Sequence, residues 1–128
     1  MIQRSFGLFD IITLWEITKN NPLIQLNIED LVPCLDDWVW KCGTPSQVWK
    51  KEVLDDENHI DRIKNADLQY PVLISENFDI DDESRGLHSK YDCLDGLHRL
   101  SHLHFIMQQK QIVAQMVTWE QLQSVKLK

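Results

Sequence analysis

The sequence contains no stretch of roughly eighteen consecutive apolar residues, the length that a bilayer-spanning helix requires. Residues 1–10 also lack the charged start, apolar run and cleavage site of a secretory leader. A cytoplasmic protein with no membrane partner is the expectation. Cysteine is scarce: Cys34, Cys42 and Cys93 cannot all pair within the chain, and none belongs to a Cys-x-x-Cys arrangement of the kind used for zinc or redox work. Reduced thiols follow, with Cys93 as an ordinary strand residue. Clustered positive charge is missing as well. The chain has 13 Lys and Arg against 20 Asp and Glu, a net charge of −7, and only Lys50-Lys51 and the terminal Lys126 and Lys128 lie close together. Affinity for a phosphate backbone comes from clustered cations that release counterions, so DNA binding by this chain alone is not expected. Neither an internal repeat nor a low-complexity segment occurs.

What the chain does have is the composition of one ordinary core: 43% apolar and 26% charged residues over 128 positions, a single domain spanning 1–128. Leu8, Ile11, Ile12 and Trp15 recur at helical spacing and predict an amphipathic helix over 6–19 with Trp15 in the core, ended by Asn20-Asn21-Pro22. A half-buried strand is expected at 23–28 and a helical turn at 35–40. Thr44-Pro45-Ser46-Gln47 is a capping box with proline at the first helical position, which predicts a helix over 45–54. Asp55-Asp56-Glu57 would meet the positive end of the next helix, whose stripe is Ile60, Ile63 and Ala66. Residues 70–75 read as a buried strand, 90–94 as a short one and 111–118 as another, with a last helical turn at 119–125. Asp79, Asp81, Asp82 and Glu83 mark a solvated loop. From Asp79 the sixth position is Ser84 and the twelfth Lys90, which is not the ligand spacing of a calcium-binding hand. The fold class is α/β in the broad sense (α+β), a compact domain with a small mixed sheet flanked by helices and an extra N-terminal helix within 1–22.

The segment that carries chemistry is the turn Asp95-Gly96-Leu97-His98-Arg99, where the strand gives way to the helical spacing of Leu97, Leu100, Leu103, His104 and Met107. A helix start presents unpaired backbone donors and partial positive charge, so it attracts anions. Gly96 lets a phosphate approach the backbone, the amides of Gly96, Leu97 and His98 face it, and Arg99 can grip two phosphate oxygens with its planar fork. Asp95 is first an N-cap, with magnesium beside the phosphates as a second role. His98 is a further donor or proton carrier. A competing arrangement sets His98 and His102, four apart on one helix face, with His88 or Asp95 as zinc ligands, but paired helical histidines without a third ligand at fixed spacing are common by chance. His104 lies toward the apolar stripe as a core histidine. Trp38 or Trp40 could border a ligand pocket; several tryptophans exposed together would instead favour a protein partner.

Tyr91-Asp92-Cys93-Leu94-Asp95-Gly96-Leu97-His98-Arg99-Leu100 resembles the strand, Asp-Gly-x-His-Arg turn and helix of ParB/sulfiredoxin-like domains. Leu26-Asn27-Ile28-Glu29-Asp30-Leu31-Val32-Pro33 resembles their opening strand, and the similarity covers residues 23–122. The resemblance implies a nucleotide phosphate, of ATP, ADP or CTP, held at this helix. Departures limit what carries over. Sulfiredoxins have a cysteine in the turn where this chain has Leu97; the partitioning proteins add a helix-turn-helix that this sequence lacks; free-serine kinases have a glutamate base after the first strand, where this chain offers Asp36 or Asp37. The expected function is nucleotide or phosphate binding, with phosphoryl transfer or hydrolysis in which Asp95, His98 and Asp36 or Asp37 act. The alternatives are a non-catalytic interaction or regulatory protein, with a protein partner or a homo-oligomer, and a metal-assisted phosphodiester hydrolase of the ParB-like nuclease type.

Overall fold

A computed structural model describes residues 2–4, 7–37, 40–78 and 90–127. The architecture is mixed α+β, built on a four-stranded mixed sheet in the order β3-β6-β4-β5. In chain order, a hairpin of β1 (Ile2–Arg4) and β2 (Gly7–Phe9) leads into α1 (Ile11–Thr18) and β3 (Leu23–Asn27). A 3₁₀ turn (Ile28–Asp30) precedes α2 (Cys34–Asp37), α3 (Pro45–Trp49) and α4 (His59–Lys64). Then come β4 (Val72–Glu76), β5 (Tyr91–Asp95), α5 (Leu97–Ser101) continued by a π turn (His102–Ile106), β6 (Gln111–Met116) and α6 (Trp119–Ser124). Strands β3 and β6 are antiparallel, β6 and β4 parallel, and β4 and β5 antiparallel, with Leu73 opposite Asp95. No helix among the described residues is long and apolar enough to cross a membrane.

Side-chain alternation along the sheet sorts the apolar residues into two cores. Val72, Ile74 and Cys93 point to one face, where they meet Leu31, Leu35 and Leu100. Leu73 and Leu94 point to the other, against Phe9, Leu14, Val117 and Leu122. This two-sided burial explains why β4 opens on the apolar run Val72-Leu73-Ile74: where a central strand is covered on both faces it has no solvent side. The edge pair β3–β6 is covered on one face only, so Ile24 and Leu26 turn inward while Leu23 and Val113 stay exposed.

The N-terminus corrects the helix expected over 6–19. Residues 7–9 are a strand, and α1 begins at Ile11 behind an Asp10 cap whose carboxylate accepts the Ile12 and Thr13 amides. The buried face of α1 is Leu14 and Thr18, which leaves Ile12 and Trp15 outside; Trp15 is 47% exposed instead of in the core. The apolar spacing counted from Leu8 mixed two elements with different periods, and so chose the wrong face. Elsewhere the cap signals hold. Thr44 and Gln47 form the capping box expected of α3, which stops at Trp49 because Lys51 turns into the left-handed region, earlier than residue 54. Thr118 and Gln121 form a second box at α6. The acidic segment 79–83, His88 and Trp38 lie outside the described residues.

One ion pair ties the N-terminal hairpin to the sheet. Arg4 Nε and Nη2 donate to Asp92 Oδ2 and Oδ1 at 2.8 and 3.0 Å, with 9% and 2% of the two side chains exposed. Removing Arg4 takes both donors from a carboxylate this buried. The Arg4→Ala protein is expected to lose about 3–5 kcal/mol of stability, read as a lowered midpoint in urea unfolding; a midpoint within error of the parent would show that the ion pair contributes nothing.

Candidate functional site

The β5–α5 turn is held by Arg99. Its Nη1 donates to the Pro71 carbonyl at 2.8 Å, just before β4, and its Nη2 donates to Asp95 Oδ2 at 2.8 Å, the last residue of β5. The same oxygen accepts the Trp15 indole N–H from α1 at 3.0 Å. Four elements therefore meet on one guanidinium and one carboxylate. The fork expected to hold two phosphate oxygens is instead occupied by protein acceptors, with 16% of the side chain exposed.

Asp95 is not the N-cap expected of it. Its carboxylate faces Arg99 and Trp15, the cap position belongs to Gly96 at φ 109°, and no side chain caps α5. The glycine is required for a reason other than ligand approach. A Cβ on Gly96 would stand 2.7 Å from Val72 Cγ1 and 3.3 Å from Val72 Cα, in a backbone region that L side chains rarely adopt. Its hydrogen lets the turn pack down onto β4. The consequence for the amides is direct: α1, α3 and α6 start with a side-chain acceptor on their first turn, and α5 does not.

Leu97 is half-buried against the core beneath the turn. His98 meets a partner that sequence spacing did not reveal. His98 Nε2 lies 2.9 Å from Nδ1 of His59, the first residue of α4, and Trp40 stacks on both rings, at 4.0 Å and 7° from His59 and at 4.6 Å and 14° from His98. Asp55 puts His59 there: its two carboxylate oxygens accept the His59 and Ile60 amides at 2.8 Å each, which is the helix-start role expected for the acidic triplet. Trp40 is fixed by a two-bond backbone bridge to Gly43. The only signal for this cluster in the sequence is an aromatic and a histidine upstream of the motif, with nothing to say that they converge.

Electrostatically the pair is kept neutral. Burial lowers the pKa of His98 to about 4, helped by the positive charge of Arg62, His59 and Arg99 and opposed by Asp55. Burial also lowers that of His59, with Arg62 acting in the same sense against Glu57, Asp55 and Asp56. Burial acts to raise the Asp55 carboxyl, but the Ile60 and His59 amides outweigh it and hold it below its usual value. Cys93 is fully buried beside Cys34, and burial pushes its thiol well above the usual range, so it is an inert strand residue.

The remaining candidates separate. His102 does not share a site with His98: its Nδ1 bonds the Ile63 carbonyl at 2.8 Å, while His98 turns to His59. Among the described residues no three His, Cys, Asp or Glu side chains come together as a metal site. Asp95 Oδ1 makes no hydrogen bond among them, so one oxygen of this carboxylate is not used by the turn. Asp36 is exposed on α2 and its side chain makes no hydrogen bond to the turn; the side chain of Asp37 lies outside the described atoms. His104 is half-buried beside Phe105 instead of in the core, and both line an open groove of about 670 Å³ with Asn27, Glu29 and Lys110. None of the turn residues lines that groove, so the chemistry is sought at the turn.

Arg62 on α4 was not among the residues singled out by sequence. It is exposed, has no ion-pair partner among the described residues, and its charge acts on both His59 and His98. Comparison of the chain with protein-family models, with curated proteins and with solved structures finds no match.

Two predictions follow from this geometry. Gly96→Ala is expected to destabilise the protein by about 1–3 kcal/mol through the strained φ and the clash with Val72, measured by thermal or urea unfolding. A pH series gives the second. Because folded His98 titrates near 4 and the unfolded chain near 6.5, the unfolded state binds more protons between those values, so stability is full above pH 6.5 and falls as pH drops toward 4. His98→Gln removes that titration, and the urea midpoint of the variant should fall less steeply across this window than that of the parent; parallel slopes would show that His98 is not held neutral.

Proposed function

We propose that the protein binds a phosphate-bearing small molecule, with a nucleotide such as ATP, ADP or CTP as the first candidate, at the β5–α5 turn. The observation that carries this reading is the helix start without a side-chain cap, beside an exposed arginine that has no ion-pair partner among the described residues. The first amides of α5 and the Arg62 guanidinium supply the donors, and Arg99 positions the turn instead of gripping the ligand. Asp95 Oδ1 is the place for magnesium. The nucleotide, in preference to any other phosphate ester, rests on the resemblance of the Asp-Gly-x-His-Arg turn to ParB/sulfiredoxin-like domains, and the cytoplasm is the compartment that supplies it. Phosphoryl transfer or hydrolysis would add a hydroxyl or water brought to the same turn.

A second reading, a non-catalytic interaction protein, has one observation in its favour: Ile12 and Trp15 are exposed on one face of α1, and Trp15 touches Asp95 of the turn. The two readings separate in one experiment. Amide spectra of the full chain are followed while ATP, ADP, CTP or inorganic phosphate is added, with and without magnesium. Saturable shifts at the Leu97 and His98 amides are expected, with an affinity about tenfold or more weaker in Arg62→Ala, the cost of one charge-assisted hydrogen bond. Because Arg62 is exposed, the variant should fold as the parent does. No shift at these amides with millimolar ligand would remove the phosphate site and leave the interaction reading.

A further inference from the structure

His59 has 4% of its side chain exposed, and its Nε2 has no hydrogen-bond partner although it lies 3.7 Å from Glu57 Oε2. Its Nδ1 faces His98 Nε2 at 2.9 Å. A contact that short needs one hydrogen between the two nitrogens, since two lone pairs or two N–H groups would repel. With both rings neutral there are two ways to place it. If His59 carries the hydrogen on Nδ1, its Nε2 presents a bare lone pair to the Glu57 carboxylate, which is unfavourable. If His59 carries it on Nε2, the N–H points its positive end at Glu57, Nδ1 accepts from His98 Nε2–H, and His98 Nδ1 is left bare. Turning either ring over would put a C–H where this bond stands. The second placement suits the Glu57 carboxylate, while each oxygen of the Asp55 carboxylate already accepts an amide, from His59 and Ile60.

We propose that Glu57, acting through His59, holds His98 in the Nε2–H form, so that His98 Nδ1 is a hydrogen-bond acceptor for a ligand hydroxyl at the β5–α5 turn. The proposal deepens the phosphate-site reading and rests on it for the ligand; the tautomer itself depends on no ligand. It reverses the polarity expected of His98 from sequence. A bare Nδ1 repels a phosphate oxygen, which is also an acceptor, so the group that meets His98 must bring a donor. The ligand class is therefore a phosphate ester carrying a hydroxyl near the phosphate, as a sugar phosphate or the ribose of a nucleotide does. Nδ1 makes no hydrogen bond to any described residue, and the half-buried ring is pinned under Trp40, so the acceptor is presented at a fixed place. Here Glu57 and His59 are positioning residues.

The test is nitrogen-15 spectroscopy of the histidine rings at neutral pH in the full chain. His59 and His98 are both expected with protonated Nε2 and bare Nδ1; an N–H on Nδ1 of His98 overturns the proposal. In Glu57→Gln the exposed substitution leaves the fold intact, and His59 should shift toward a mixture of the two forms with His98 following it. Unchanged forms in that variant overturn the part assigned to Glu57. Ribose 5-phosphate should move the His98 Nδ1 resonance toward the hydrogen-bonded position, while inorganic phosphate at the same millimolar concentration shifts only the Leu97 and His98 amides. Amide shifts with both ligands and an Nδ1 that responds to neither, or alike to both, overturn the hydroxyl assignment and keep the phosphate site. No amide shift with either ligand overturns the phosphate site and the ligand assignment together.

Discussion

The guanidinium of Arg99 is the constraint on which the turn depends. Its bonds to the Pro71 carbonyl and the Asp95 carboxylate join the start of β4 to the end of β5 at the point where the chain leaves the sheet for α5. Those bonds also explain the neighbours. Gly96 must pack against Val72 because Arg99 draws α5 down onto the strand, and Trp15 can reach Asp95 because that carboxylate is fixed where the indole N–H needs an acceptor. An arginine near a helix start opposes the helix dipole by a few tenths of a kcal/mol or more; here a carboxylate four residues before it offsets that cost. The Asp-Gly-x-His-Arg sequence is thus first a folding device, in which each of Asp95, Gly96 and Arg99 is required by the others.

This division of labour leaves the ligand-facing work to other groups. With Asp95 turned toward Arg99, no side chain among the described residues caps the first turn of α5, and with Arg99 occupied, a positive charge that acts on His98 without an ion-pair partner among the described residues is Arg62, which α4 brings in from 37 positions away in sequence. Helix α4 can do this because Asp55 fixes its start, and the same contact sets His59 against His98. The acidic triplet, the capping of α4 and the imidazole pair are one chain of causes, running from a local cap to a long-range contact.

Much of the fold was legible because its signals are local. The capping box at Thr44, the apolar run of β4 and the break at Asp95-Gly96 each depend on residues within one turn or one strand, and these elements start within a residue or two of their expected limits. The N-terminus was misread because β2 and α1 adjoin without a breaker, so a period of two and a period of 3.6 ran together in Leu8, Ile11, Ile12 and Trp15. The site was less legible than the fold. The sequence placed Asp95, Gly96, His98 and Arg99 at one turn, but not that Asp95 and Arg99 would satisfy each other, because an i,i+4 pair is equally compatible with two solvated side chains. Trp40 was expected only as one of two tryptophans that could border a pocket, and His59 gave no sign of convergence, since what brings it to His98 is the packing of α4 against α5.

The charge pattern bears on the size of the ligand. The chain is strongly acidic overall, yet Arg62 and Arg99 both act on His98, adding to the burial that lowers its pKa. Fields from exposed charges fade over about 8 Å at physiological ionic strength. A small phosphate ester that fits within that distance of Arg62 meets a locally positive place and little of the distant acidic surface. A nucleic acid would have to lie across many such distances, with each further phosphate facing carboxylates instead of cations. The neutral histidine pair sharpens the same point, because a site meant to neutralise several phosphates gains nothing from burying two imidazoles in a form that carries no charge. In the proposed tautomer the pair would supply instead a fixed direction, one acceptor beside a few donors, which suits the recognition of one small molecule by shape and hydrogen bonding.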